Sequence, residues 1–162
     1  MAQTVASMNL ARDQRWLDAK ALYRQSGRRT GCLYLCGYVI EIGLKAAYFE
    51  LATAADVELA GKDLTQLCRH PERLPEFSRA RADFVAPYGH CLPGWLSLLE
   101  QARSRSGRNT SNDLMLEVSG LVATVIWSPG LRYAVEPVLQ EELNSVYRTA
   151  ERIVNNNRQL VS

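Results

Sequence analysis

One glutamate and one lysine stand four residues apart in the most apolar stretch of this chain, Tyr34-Leu35-Cys36-Gly37-Tyr38-Val39-Ile40-Glu41-Ile42-Gly43-Leu44-Lys45-Ala46-Ala47-Tyr48. On a helix, at 100° per residue, Tyr34, Tyr38, Glu41, Lys45 and Tyr48 fall within about 80° of one another. Glu41 and Lys45 then have the spacing and order of a helix ion pair, worth a few tenths of a kcal/mol when exposed. Buried without partners, each charge would cost several kcal/mol. The stripe is therefore either a buried polar network or the wall of a ligand site. As a network, Glu41 is expected to accept hydrogen bonds from Arg132, with Tyr133 beside it. As a wall, the tyrosine rings could stack on bases, each contact worth roughly 1–3 kcal/mol.

Other residue types could do chemistry too. Arginine outnumbers lysine 16 to 3, and its planar fork holds phosphate in a bidentate way that lysine cannot match. Arg28, Arg29, Arg103, Arg105 and Arg108 could form a phosphate-facing surface if their two loops share one end of the molecule. Only two histidines occur. His70 directly follows Arg69, and His90 lies nine positions after Arg81. Arg81 and His90 are the weak candidates for catalysis. Cys32, Cys36, Cys68, His70, His90 and Cys91 match no familiar zinc spacing, and buried thiols are expected instead of a metal site. No glycine-rich phosphate loop, His-Glu-x-x-His or nucleophile elbow occurs, and no cofactor is expected.

Composition limits the alternatives. A chain of 162 residues with 47% hydrophobic and 22% charged residues suits one domain with a real core. A net charge of +2 makes no bulk case for nucleic acid. No secretory leader pattern is visible, and Glu41 and Lys45 interrupt the run closest to the roughly 18 apolar residues of a membrane span. A cytoplasmic location with reduced cysteines is the expectation.

Helices must position these groups. Trp16, Ala19, Leu22 and Tyr23 recur at helical spacing over about 5–25, with Leu10 and Leu17 widening the apolar face. Ser26-Gly27 follows as a stop. A central helix covers about 29–53, with Cys32, Cys36 and Gly43 opposite the polar stripe, where small side chains let a neighbour approach. Asp63-Leu64-Thr65-Gln66 resembles a capping box opening a short helix. Leu92, Trp95, Leu98, Leu99 and Ala102 mark a helix to about Arg105. Leu114, Val118, Leu121, Val122 and Val125 mark another at about 112–127. Pro137 suits the first turn of the last helix, along which Leu139, Leu143, Val146, Ala150 and Ile153 recur. The expected fold is all-α, an up-and-down bundle of four to five helices with short extras.

These residues together resemble the HEPN domains (higher eukaryotes and prokaryotes nucleotide-binding). Tyr34-Leu35, Gly37-Tyr38, Glu41 and Leu44-Lys45-Ala46 look like the family's signature helix, and Ala21-Leu22-Tyr23 fits the helix before it. Gly61-Lys62-Asp63-Leu64 is similar to its Gly-His-Asp-Leu element, with lysine for histidine. Trp127 followed by Leu131-Arg132-Tyr133 resembles its Trp-to-Arg-Tyr segment. The resemblance covers roughly residues 10–158 and implies a helical homodimer that binds nucleotide, RNA or a partner protein, in nucleotidyltransferase-associated or toxin–antitoxin-type systems. The family's RNases carry Arg-x4–6-His. Here no arginine precedes either histidine at that spacing. The resemblance thus implies a non-catalytic module. The alternatives are a metal-independent ribonuclease with a non-standard active site and a purely structural dimerisation scaffold.

Overall fold

Helix α2 (Arg29–Ala55) forms because its residues are apolar on nearly every face and can be surrounded. The computed structural model describes the chain apart from residues 1–2, 26, 57–58, 60, 110–111, 126 and 134–137, and apart from the side chains of residues 132 and 133. By length and composition α2 could cross a membrane, but 78% of its most apolar window is buried inside the molecule. It is the axis of the bundle.

Among the described residues seven further α-helices follow or precede it: α1 (Val5–Tyr23), α3 (Leu64–Arg69), α4 (Phe77–Ala80), α5 (Leu92–Arg105), α6 (Asp113–Thr124), α7 (Gln140–Asn155) and α8 (Arg158–Val161). No strand occurs among the described residues, so the fold is all-α. Helices α1, α5 and α7 pack directly on α2, while α6 lies against α5 and α7. Local chemistry sets the starts. Thr4 and Ser7 form a reciprocal capping box on α1. Asp63 accepts from the Thr65 amide at 2.9 Å to open α3, as its sequence implies. Asn112 caps α6 through the Met115 amide at 2.9 Å.

The small-residue face of α2 works as expected. A Cβ at residue 43 would meet Ile153 Cγ2 of α7 at 2.5 Å, so glycine there permits the close approach. The Cys32 thiol reaches the Ala19 carbonyl of α1 at 3.4 Å.

Three expectations need correction. Leu10 and Leu17 do not widen the buried face of α1: they are 71% and 58% exposed, and the inward residues are Met8, Arg12, Trp16 and Ala19. Arg12 can take a buried position because Asp13 and Asn9 receive its guanidinium. Helix α6 stops at Thr124, not near 127, because Val125 turns extended and the chain carries Trp127 back onto α2. Helix α7 begins at Gln140, and Leu139, assigned to its core stripe, is exposed at the cap position. Pro137 lies outside the described residues.

Candidate functional site

Glu41 is 2% exposed and Lys45 is 6% exposed, so the central pair of the stripe is interior. The Lys45 ammonium donates to Glu41 Oε1 and, at 2.5 Å, to the Gly89 carbonyl. It also stands 5.1 Å from the Trp95 ring centroid, a cation–π distance. Gly89 and His90 belong to the 3₁₀ turn Tyr88–His90, which the chain folds back over α2 just before α5.

That turn delivers a group the helix pattern cannot reveal. His90 Nδ1 lies 3.2 Å from both carboxylate oxygens of Glu41. An ionised carboxylate can only accept, so this contact places a proton on Nδ1 and leaves Nε2 as the nitrogen open to another partner. The His90 side chain is 39% exposed. The Tyr38 ring stands edge-on to it at 5.9 Å and edge-on to Trp127 at 5.1 Å. Trp127 is held by its indole N–H, which donates to the Tyr34 carbonyl at 3.2 Å across the surface left open by Gly37.

A cleft of about 300 Å³ opens beside this network. Its walls are Val85, Pro87, Leu92, Val122, Val125, Trp127 and Pro129, with His90 at one side. Pro93 and Val122 continue into a second hollow of about 280 Å³, where Asp83, Glu100 and Ser119 appear. Burial first, and the nearby Asp83 charge second, push the Glu100 carboxyl above its ordinary range. One groove therefore runs between α5 and α6, apolar and aromatic at one end and acidic at the other.

The stripe divides between two networks. Glu41, Lys45 and Tyr38 meet at His90, whereas the Tyr48 hydroxyl donates to Glu76 Oε2 at 2.6 Å. Glu76 also pairs with Arg105 at 2.7 Å. Burial, reinforced by Glu76, raises the Tyr48 hydroxyl well above its usual value. Arg132 and Tyr133 fall on the 3₁₀ turn Pro129–Tyr133 that packs on α2, but their side chains, and with them the expected Glu41–Arg132 bond, lie outside the described residues.

The five arginines do not form one surface. Arg103 is fully buried and donates to the carbonyls of Asn109, Gln159 and Leu160. Arg105 is tied to Glu76, near the Tyr48 end of α2. Arg108 donates to the Val161 carbonyl. Arg28 and Arg29 sit exposed at the opposite end of α2, about 30 Å away at 1.5 Å per helical residue. Arg81 is exposed on the turn Arg81–Asp83, and no described contact joins it to His90.

The cysteines are free thiols. Cys91 Sγ accepts from the Val85 amide at 3.2 Å and donates to the Asp83 carbonyl at 3.3 Å, pinning the groove's loop. Among the described residues no three His, Cys, Asp or Glu side chains converge as a metal site.

In the sequence His90 is only a weak candidate, Trp127 stands out as part of the Trp-to-Arg-Tyr-like segment and not as a site residue, and Glu76 and Glu100 carry no signal. The usable signal for His90 was its place immediately before α5, where a turn can aim a side chain back at a central helix. No family model, curated protein or solved structure matches this chain.

Proposed function

We propose that this chain is a HEPN-like helical module that acts by binding a partner protein, of the kind found in nucleotidyltransferase or toxin–antitoxin-type systems, and not by catalysis. The observation that carries this reading is the apolar groove opening directly beside the Glu41–Lys45–His90 network. A groove whose wall is fixed by buried hydrogen bonds presents a preorganised surface, which lowers the ordering cost of binding. The resemblance agrees with it in one respect: the segment carrying Trp127 packs on the helix carrying Tyr38, Glu41 and Lys45. A cytoplasmic location belongs to the same proposal.

The module is proposed to be a homodimer joined through α1. Ala6, Leu10, Leu17 and Ala21 are all exposed and fall within about 60° on the helix. They are arranged symmetrically about the midpoint between Asp13 and Gln14, so two antiparallel copies set Leu10 against Leu17 and Ala6 against Ala21. Self-complementarity of this type is what a two-fold interface requires.

The test uses defined probes. Peptides selected from a displayed random heptapeptide library should bind the full chain and lose binding in Val122→Asp. ATP and a 12-nucleotide RNA at about 150 mM salt should leave the melting temperature unchanged. A stabilisation by either one that Val122→Asp removes would assign the groove to nucleotide or RNA instead.

A second reading, a metal-independent ribonuclease, is favoured specifically by the Glu41–His90 contact. A carboxylate behind Nδ1 fixes the tautomer in which Nε2 can take a proton from a ribose 2′-hydroxyl. Cleavage of bulk RNA by the purified protein, abolished in His90→Ala, would establish it.

A further inference from the structure

The two ends of the groove differ in chemistry, and the difference specifies an occupant. One end is apolar, walled by Leu92, Val125 and Trp127, and Val85 at its edge is 71% exposed. At the other end Asp83 and Glu100 face the hollow, and neither carboxylate has an ion-pair partner among the described residues. Neither hollow is lined by a lysine or arginine among those residues. Such a surface attracts a cation and repels phosphate. Pro93, Leu96, Ser97 and Glu100 line the second hollow at i, i+3, i+4, i+7 along α5, so the distance from the shared Pro93 to Glu100 is about 10 Å at 1.5 Å per residue. An extended chain advances about 3.3 Å per residue and covers that distance in about three residues.

We propose that the groove receives an extended segment of the partner protein carrying a bulky apolar side chain and, about three residues away, an arginine or lysine. The apolar side chain seats beside His90 and Trp127, and the basic one reaches Asp83 and Glu100. This inference rests on the partner-binding reading and adds the partner's chemistry to it.

The experiment is a displayed heptapeptide selection on the full chain, followed by fluorescence anisotropy of the enriched peptide at several salt concentrations. The enriched sequences should pair a leucine, isoleucine or phenylalanine with a basic residue two to four positions away. Asp83→Arg, at an exposed position, and Glu100→Arg should each weaken the peptide by about tenfold or more, and a fresh selection on either variant should replace the basic residue with an acidic one. Binding should also weaken as salt rises, since a charged pair at a groove edge is screened. Circular dichroism confirms that each variant is folded. Peptides that are blocked by Val122→Asp but show no basic preference, or are unaffected by Asp83→Arg and Glu100→Arg, would overturn this inference and leave the partner-binding reading standing. Failure to obtain any peptide blocked by Val122→Asp, with the RNA bound at the groove instead, would overturn both.

Discussion

The indole ring of Trp127 occupies the space that a side chain at residue 37 would fill, and it donates to the carbonyl of Tyr34 in the turn of α2 directly before it. Gly37 is therefore a docking notch that joins the segment after α6 to the central helix. The ring also forms part of the groove wall. Gly37→Ala puts a methyl group against the five-membered part of the indole and must push it outward. Overpacking of this kind costs about 1–3 kcal/mol. The expected result is a lower denaturation midpoint for Gly37→Ala and a smaller penalty for the same change in a Trp127→Ala background. Additive effects would show that the two residues are not in contact.

Glu41 and Lys45 make a different kind of prediction, because neither is at the surface. Glu41→Gln removes the negative charge between Lys45 and His90 and leaves a buried ammonium with only neutral acceptors, the Gly89 carbonyl and the new amide oxygen, and no counter-ion among the described residues. Breaking a buried pair from one side costs about 3–5 kcal/mol. At about 2–4 °C per kcal/mol for a chain of this size, the melting temperature should fall by about 10 °C. Glu41→Leu with Lys45→Met should recover part of the loss, since no charge is then stranded. A Glu41→Gln protein that melts with the wild type would show that the pair is not buried.

Much of this was legible in the sequence, for a physical reason. Helical periodicity is local, so α1, α2, α5 and α6 can be placed from apolar spacing, and Asp63 announces the start of α3 by its capping chemistry. The interior position of Glu41 and Lys45 follows from the apolar residues around them. What pairs with Glu41 does not follow. His90 comes from a turn 49 residues away, and its place just before α5 hints that it can be aimed at a central helix but does not say at which residue. Leu10 and Leu17 misled for the converse reason. Spacing shows that residues share a stripe but not whether the stripe faces the core, and the buried face of α1 instead includes Arg12. The five arginines share no surface because Arg28 and Arg29 sit at the far end of α2 from Arg105, and Arg103 is buried on backbone carbonyls, neither of which local spacing encodes.

The exposed stripe on α1 predicts an oligomeric change without a stability change. Leu10 and Leu17 carry large apolar side chains into solvent at 71% and 58% exposure. Replacing either by arginine removes nothing from the core, and surface substitutions of this kind usually change stability by no more than about 0.5 kcal/mol. In the antiparallel pairing the Leu10–Leu17 contact occurs twice, once for each copy, so a single substitution places two arginines in one interface. Leu10→Arg and Leu17→Arg should therefore each convert dimer to monomer in multi-angle light scattering, with melting curves that lose only the concentration-dependent part. A wild-type protein that is monomeric at micromolar concentration would dispose of the α1 interface.

Stability should fall at alkaline pH, and Cys68 should carry a separable share of the fall. Burial raises its thiol from 9.0 to about 11, against a smaller lowering effect of the Lys45 charge. The folded state therefore holds this proton more tightly than the unfolded chain does. Its contribution is complete below pH 9, where both states are protonated, and is lost as pH rises from 9 to about 11, where the unfolded chain alone ionises. Two units correspond to about 2–3 kcal/mol at most. Tyr48 and Cys36 are also raised and act in the same direction, Tyr48 chiefly through burial and Cys36 chiefly through its hydrogen bond with Cys32. Cys68→Ser isolates the Cys68 share, because serine does not titrate in this range. Urea midpoints measured at pH 8, 9, 10 and 11 should drop less steeply in Cys68→Ser than in the wild type, and iodoacetamide should modify Cys68 slowly until the pH approaches 11. Parallel midpoint curves for the two proteins would mean that Cys68 is solvated in the folded state.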